Sequence, residues 1–167
     1  MYGKGDYVVY GHNGICRVVD ITTPGFSGVD KDKLYYVLEP VDKKGSKIYS
    51  PVESKKVFMR QVMSKEEGEE LIDSIPEVDE LWIGNEKQRE ERYKALMLTC
   101  EPLEWVKIIK TLYQRAQDRI SQGKKITATD ERYLKLAEDS LYREMGFVLD
   151  RDKEEMPEYI RKRIKNV

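Results

Sequence analysis

The pattern of apolar residues changes part-way along this chain of 167 residues. Residues 1–63 contain short runs of Val, Ile and Tyr together with most of the glycines, which is typical of short strands joined by turns. Residues 64–167 are rich in Glu, Lys, Leu and Arg, which favour helices. A run of strands followed by a run of helices indicates an α+β fold or separate domains. We therefore predict two domains, a β domain at 1–63 and an all-helical domain at 64–167.

The first domain is predicted to be a small sheet. The stretch GDYVVYGHNGICRVVDI, residues 5–21, has two apolar runs around a polar, Gly-containing centre and predicts a β-hairpin. After the Gly/Pro/Asp-containing loop TTPGFSGVDKDK, the runs LYYVLEPV and KIYSPV flank the turn DKKGS and predict further strands. Four or five such strands favour a small, strongly bent sheet or partly open barrel. Pro51 is expected at a sheet edge or strand end because proline cannot donate to a ladder.

Capping signals divide the second domain into helices. Two helix N-termini are predicted by capping boxes, one formed by Ser64 with a Glu three residues later and one by Thr127 with an Asp three residues later. Asn85 predicts a third N-terminus and Pro102 a fourth. Gly123 and Gly146 are predicted to end the last two of these helices, and residues 152–166 predict a short terminal helix. The apolar residues expected to face inward are Trp105, Ile108, Ile109, Leu112, Ala116, Tyr133, Leu134, Ala137, Leu141 and Met145.

Motifs for catalysis are missing from the sequence. It has no phosphate-binding loop, no dinucleotide-binding GxGxxG, no GxSxG and no HExxH. The chain has one histidine, which is too few for a multi-histidine metal site and leaves a His-based triad a single candidate. His12 and Cys16 supply two metal ligands at most. We therefore interpret His12 as a polar residue of the turn and Cys16 as a small hydrophobic residue packed in its strand. A binding protein without metal or cofactor is favoured, and an enzyme built on paired carboxylates is a distant alternative.

Cellular context is inferred from what the chain lacks. The two cysteines are far apart, no apolar stretch reaches the roughly 18 residues of a membrane span, and the N-terminus MYGKGDY has no apolar signal region. We expect a soluble, monomeric protein of the cytoplasm with no membrane partner.

The charge distribution identifies candidates for a nucleic-acid-binding surface. The chain is nearly neutral, but residues 64–81 contain one basic and eight acidic residues, whereas residues 82–135 contain twelve basic and eight acidic ones. If the helices carrying the basic side chains pack side by side, these side chains could form one face against phosphates. Interleaved glutamates leave an ordinary solvated surface as the alternative. The candidates for DNA contact from charge alone are Arg89, Arg92, Lys94, Lys124, Lys125 and Arg132.

The same segments resemble a known family. GDYVVYGHNGICRVVDI, LYYVLEP and KIYSPVE resemble the N-terminal domain of the CarD/CdnL bacterial transcription regulators, which is shared with the polymerase-interacting domain of the transcription-repair coupling factor. REERYK, IIKTLYQRAQDR and GKKITATDERYLKLAEDSLYREM are similar to the CarD C-terminal domain. The resemblance covers nearly the whole chain, and the absence of helicase motifs excludes the coupling factor itself.

The resemblance implies a fold and a function. The N-terminal domain would be a Tudor-like half-barrel that binds the RNA polymerase β subunit. The helical domain would contact promoter DNA near the upstream edge of the −10 element, stabilise the open complex and modulate initiation. Tethering by the first contact would make a weak DNA contact effectively intramolecular.

Particular residues are implicated at each surface. A strand edge can bind a partner sheet, and we expect the polymerase to contact this one, although ordinary strand surface is the alternative. The residues expected there are Lys33, Tyr35, Lys47, Tyr49 and Pro51. Family members commonly carry a wedge tryptophan four residues before the Tyr of the RYK motif, where this chain has Arg89. Trp82, seven residues earlier, is the candidate replacement wedge, with packing of its indole at the domain junction as the alternative.

Two functions from different classes remain open at this point. The first is a non-enzymatic transcription regulator that binds the polymerase β subunit and promoter DNA. The second is a protein-only adaptor that docks on the polymerase and recruits another protein through the acidic surface of its helical domain.

Overall fold

The computed structural model describes residues 1–25 and 32–165. The centre of the loop TTPGFSGVDKDK and the last two residues of the chain lie outside this description. The chain divides into two compact units, Met1–Val62 and Met63–Val167. An antiparallel sheet of five strands fills the first unit and helices fill the second, which confirms the α+β prediction.

The sheet has the strand order β4-β3-β2-β1-β5. β1 and β2 form the predicted hairpin, in which Val8 pairs with Cys16 across a 3₁₀ turn at Gly11–Asn13. β4 is an edge strand, and Pro51 is its last residue, as predicted from its missing N–H. The strands are β1 Tyr7–Tyr10, β2 Ile15–Thr22, β3 Tyr35–Pro40, β4 Ile48–Pro51 and β5 Met59–Gln61.

One face of the sheet carries the core of the first unit. Side chains alternate between faces along a strand, so every second residue of the three central strands points into the same cluster. Cys16 belongs to this cluster and is fully buried, and burial raises the pKa of its thiol to about 11, which keeps it protonated. The cluster consists of Val8, Tyr10, Cys16, Val18, Tyr36 and Leu38. A register shift between Val18 and Asp20 is a β-bulge, which bends a strand and increases its twist.

Three of the four predicted helix starts, at Ser64, Pro102 and Thr127, are confirmed. The Ser64 hydroxyl accepts from the Glu67 N–H at 3.0 Å, and the Thr127 hydroxyl accepts from the Asp130 N–H at 3.1 Å. Asn85 caps a 3₁₀ turn at Glu86–Gln88 that leads into the helix, rather than the helix itself. The helices are α1 Lys65–Ser74, α2 Arg89–Leu98, α3 Pro102–Ser121, α4 Ala128–Val148 and α5 Met156–Lys165.

The core of the helical unit follows the predicted apolar stripes with local differences. Ile109, Ala116 and Leu134 are only partly buried, whereas Val106 and Thr111 are buried on α3. The side chains that fill this core include Ile72, Tyr93, Trp105, Ile108, Leu112, Leu141, Met145 and Met156.

The two predicted glycine helix ends have different outcomes. Gly123 follows the end of α3 with a φ of 75°, and its N–H and that of Lys124 bond back to the carbonyls of Ile120 and Arg119, as a glycine helix end requires. The prediction for Gly146 is wrong, because α4 continues to Val148. A Cβ at Gly146 would lie 2.7 Å from the backbone oxygen of Arg151. Gly146 therefore permits the close approach of the chain that returns after α4.

We predict that Gly146→Ala destabilises the protein although alanine favours helices. The new Cβ meets backbone rather than a mobile side chain, so the chain after α4 must shift, at a cost of about 1–3 kcal/mol. Urea unfolding measures the change, with Ser140→Ala in the same helix as the control expected to stay within about 0.5 kcal/mol of the parent. A Gly146→Ala protein at least as stable as the parent would contradict this role.

Candidate functional site

The edge strand β4 presents several of the predicted polymerase-binding residues on one face. Tyr35 pairs with Pro51 and Val37 pairs with Tyr49, whereas the intervening residues of both strands point to the core. Tyr49 and Lys47 are exposed, and both line a groove of about 500 Å³ with Val37. We call Tyr35, Lys47, Tyr49 and Pro51 the edge face. Lys33 is exposed in the loop before β3 and is not part of this face.

Polar side chains of β2 and β3 also line the groove beside the edge face. Asp20 and Thr22 come from β2, and Glu39 comes from β3. The groove therefore combines a lysine and a tyrosine with two carboxylates and an apolar floor at Val37. Such a surface can contact both the side chains and the polar groups of a partner segment.

The helices that carry the predicted DNA-contacting residues lie next to each other. Tyr93 of α2 and Tyr133 of α4 pack with ring centroids 5.6 Å apart. Arg132 forms an ion pair with Glu90 across the same two helices, and its guanidinium lies 5.1 Å from the Tyr133 ring centroid. The side-by-side packing on which a shared basic face depends is therefore present in the helical unit.

A charge network holds the beginnings of α2 and α4 against α3. Arg115 of α3 donates from Nη1 and Nη2 to both carboxylate oxygens of Glu86, at 2.9 and 3.2 Å. Its Nε donates to Asp130 of α4 at 2.6 Å. Asp130 is 2 % exposed, so this carboxylate needs the guanidinium partner that it has. One arginine thus joins three segments of the chain.

Arg89 belongs to the same network. It donates to the two oxygens of Glu86, both at 3.1 Å, and to the Tyr93 hydroxyl at 2.6 Å. Only 16 % of its side chain is exposed. Burial raises the pKa of the Tyr93 phenol, so the hydroxyl stays neutral beside this arginine. The structure therefore places Arg89 against carboxylate and phenol oxygens, with little of the guanidinium facing solvent.

The remaining basic candidates are more accessible. Arg92, Lys94, Lys124 and Lys125 are exposed, and none of them forms an ion pair with another described residue. Arg119 donates from Nε to the Lys125 carbonyl at 2.8 Å. The loop that carries Lys124 and Lys125 is thus fixed at its base while the two ammonium groups reach solvent.

Trp82 lies on a segment that is fastened to α3. We call residues 75–86 the strap. Lys110 donates from Nζ to the carbonyls of Ile75 and Val78 at 2.8 and 2.6 Å. The Leu81 N–H donates to the Thr111 hydroxyl at 2.8 Å. Trp82 is 86 % exposed.

Sequence reasoning missed the residues that position these groups. Glu86, Arg115 and Asp130 are far apart in the chain, and no local pattern joins them. Thr111 gave one weak signal, because it is a polar residue beside Ile108 and Leu112 on a predicted apolar stripe. Arg89 was predicted from its charge to contact DNA, although its guanidinium is paired with Glu86 and Tyr93 inside the helical unit.

Comparison with known proteins identifies the first unit. Residues 2–63 match the family model of the CarD-like/TRCF RID domain, so this part of the chain is similar to CarD-like proteins. Domains of that family interact with RNA polymerase and are non-enzymatic. No curated protein matches the chain.

The described ranges contain neither a cluster of metal-binding side chains nor a membrane-spanning helix. No group of three or more His, Cys, Asp or Glu side chains within residues 1–25 and 32–165 is placed to hold a metal ion. No helix in those ranges is long and apolar enough to cross a membrane.

We predict that Glu86→Gln flattens the dependence of stability on acidic pH. Hydrogen bonds from Arg89 and then Arg115 lower the pKa of Glu86 below its ordinary 4.5. The folded pKa lies below the unfolded pKa, so this contribution is complete above about pH 4.5 and is lost as the pH falls through the folded value. The effect is small because 66 % of the Glu86 side chain is exposed.

Urea unfolding at a series of pH values from about 6 to 3 measures this contribution. Glu91→Gln is the matched control, since Glu91 is exposed on α2 and forms no ion pair with a described residue. Equal pH dependence in the Glu86→Gln and Glu91→Gln proteins would show that the network does not retain the Glu86 charge.

Proposed function

We propose that this protein is a transcription regulator that binds the RNA polymerase β subunit through its sheet and promoter DNA through its helical unit. It contacts the DNA near the upstream edge of the −10 element and stabilises the open complex. The observation that carries the DNA contact is an exposed tryptophan on a fastened segment of the same helical unit that presents exposed cations. The match of residues 2–63 to a polymerase-interacting domain supports the polymerase contact.

The edge face is the proposed polymerase contact. An edge strand can add a partner strand through its backbone, and neighbouring side chains then supply specificity. Lys47 and Tyr49 border the groove, and Tyr35 and Pro51 extend the same face along two strands. Lys33 is assigned a peripheral role because it lies in the loop before β3.

The helical unit is the proposed DNA contact. Arg92, Lys94, Lys124 and Lys125 would bind phosphates, and Arg132 would join them if it exchanged Glu90 for a phosphate. Trp82 would insert between base steps, since an apolar wedge of this kind unstacks and bends a duplex. Arg89 would hold the start of α2 in place through Glu86 and Tyr93 rather than enter the minor groove.

Energetics are compatible with a modest DNA contact. A few phosphate contacts give weak, salt-dependent affinity. Docking on the polymerase raises the effective concentration of the helical unit at the promoter. A tenfold shift of the open-complex equilibrium corresponds to about 1.4 kcal/mol, which a wedge and a few cations can supply.

A protein-only adaptor is the second candidate. Exposed Glu66, Glu67 and Glu70 on α1 favour it, because they present an acidic surface that would repel DNA and attract a basic partner. In this case the helical unit would recruit a second protein, and its cations would be ordinary solvated side chains.

We predict that the double substitution Lys47→Glu with Tyr49→Ala weakens binding to the isolated polymerase β subunit by about tenfold or more. The change removes an aromatic contact and reverses a charge at the centre of the edge face. Surface plasmon resonance measures the affinity. Lys4→Glu, which changes an exposed charge outside β3 and β4, is the control and should bind as the parent does. Unchanged affinity of the double variant would place the polymerase contact elsewhere.

We predict that Lys124→Glu with Lys125→Glu weakens binding of polymerase-tethered protein to promoter DNA and reduces the salt dependence of that binding. Each lost phosphate contact lowers the slope of log affinity against log salt concentration by about one. Fluorescence anisotropy with labelled promoter DNA at several salt concentrations gives the slope. Lys162→Glu with Lys165→Glu, an equal charge change on α5, is the control. An unchanged slope in the first variant would favour the adaptor.

A further inference from the structure

The strap is fastened to one helix on both sides of Trp82. Lys110 and Thr111 of α3 bind the strap before the tryptophan, through the carbonyls of Ile75 and Val78 and the N–H of Leu81. Arg115, one turn further along α3, binds Glu86 after it. The exposed indole is therefore carried by a backbone whose two ends are held by neighbouring residues of α3.

Thr111 makes the contact closest to the tryptophan. Its hydroxyl donates to the Lys107 carbonyl at 2.7 Å, and this bond orients the oxygen lone pairs. The same oxygen accepts from the Leu81 N–H, so the amide next to Trp82 is bound by an oriented acceptor. Thr111 is only 7 % exposed, which limits competition from water for this bond.

The indole of Trp82 lies against Gly84, which follows it in the strap. A Cβ at Gly84 would lie 2.6 Å from Cη2 of Trp82 and 3.0 Å from its Cζ3. The six-membered ring thus occupies the space that any other residue at position 84 would fill. One contact fixes the backbone before Trp82, and the other lets the ring lie against the backbone after it.

We propose that Thr111 is a positioning residue that holds Trp82 in the orientation from which it contacts promoter DNA. This inference rests on the proposed function. A tryptophan on a freely moving segment would lose conformational freedom on binding, and that loss would weaken the contact. Fixing the strap in advance removes most of this loss, in the same way that preorganised groups favour other recognition events. Thr111 acts through Leu81 and Trp82 and does not itself touch the DNA.

The test compares Thr111→Val with Thr111→Ser. Valine has nearly the same shape but lacks the hydroxyl, whereas serine retains it. Amide hydrogen exchange of Leu81, followed by NMR on the protein alone, reports the bond directly. We expect exchange to be several-fold faster in the valine variant and close to the parent rate in the serine variant.

The functional measurement is the lifetime of the promoter open complex with cognate polymerase. We expect Thr111→Val to reduce the lifetime gained from the protein by about three- to tenfold, since a hydrogen bond of this kind contributes about that factor. Thr111→Ser should restore the gain. In combination with Trp82→Ala, the valine substitution should cause no further loss, because its effect passes through the tryptophan.

Thr99→Val controls for general destabilisation. The Thr99 hydroxyl also donates to a helix carbonyl, that of Leu96, and accepts from a backbone N–H, that of Glu101, but it lies outside the strap. Its removal should leave the open-complex lifetime at the parent value. Equal reductions by Thr99→Val and Thr111→Val would overturn the inference.

Gly84→Ala tests the same idea if Thr111→Val does not fold. The added methyl group meets only the end of the Trp82 side chain, so the ring moves while the Leu81 bond remains. If Gly84→Ala shortens the open-complex lifetime in the parent but not in the Trp82→Ala background, the orientation of Trp82 is required. An unchanged lifetime in the parent background overturns that requirement.

The results separate this inference from the proposed function. If Trp82→Ala leaves the open-complex lifetime unchanged, the wedge itself fails and so does the inference. Two other results overturn only the positioning role, provided that Trp82→Ala shortens the lifetime. In the first, Thr111→Val shortens the lifetime further in the Trp82→Ala background. In the second, Thr111→Val accelerates Leu81 exchange but leaves the lifetime unchanged.

Discussion

The Arg115 guanidinium is the interaction on which the arrangement of the helical unit depends most. It binds the buried carboxylate of Asp130 at the start of α4 and the exposed carboxylate of Glu86 ahead of α2. Removing one partner from a buried pair of this kind leaves an uncompensated charge and costs about 3–5 kcal/mol. The contact therefore brings the strap and the starts of two helices to one part of α3.

This network also changes how the charges of the chain are understood. Residues 82–135 have an excess of basic side chains, but Arg89 and Arg115 use their donors on Glu86, Tyr93 and Asp130. Lys110 uses its ammonium group on backbone carbonyls at the end of α1 and beyond. The cations that remain exposed without a described carboxylate partner, such as Lys94 and Lys124, are those that can bind phosphates. A count of charges along the sequence cannot make this distinction, since it depends on which side chains the fold brings together.

The sequence predicted several secondary-structure elements well because the interactions that form them join residues close together in the chain. The Ser64 and Thr127 caps, the Gly123 helix end and the β1–β2 hairpin each depend on residues within a few positions of one another. The prediction that Gly146 ends α4 was wrong because this glycine instead permits the close approach of the chain segment that follows the helix. Likewise the Leu81 N–H next to Trp82 is bound by Thr111, about thirty positions away, so the sequence could nominate this tryptophan but could not show how its segment is held.

The proposed function combines a sheet that docks on RNA polymerase with a helical unit that carries a fastened, exposed tryptophan. Its central claim is that the second unit acts on promoter DNA while the first is docked. The most direct test is the dissociation half-life of a fluorescent promoter open complex with cognate polymerase, measured with and without the protein at two salt concentrations. We expect a longer half-life with the protein and a smaller gain at the higher salt concentration. An unchanged half-life under conditions where the protein is bound to the polymerase would contradict the claim.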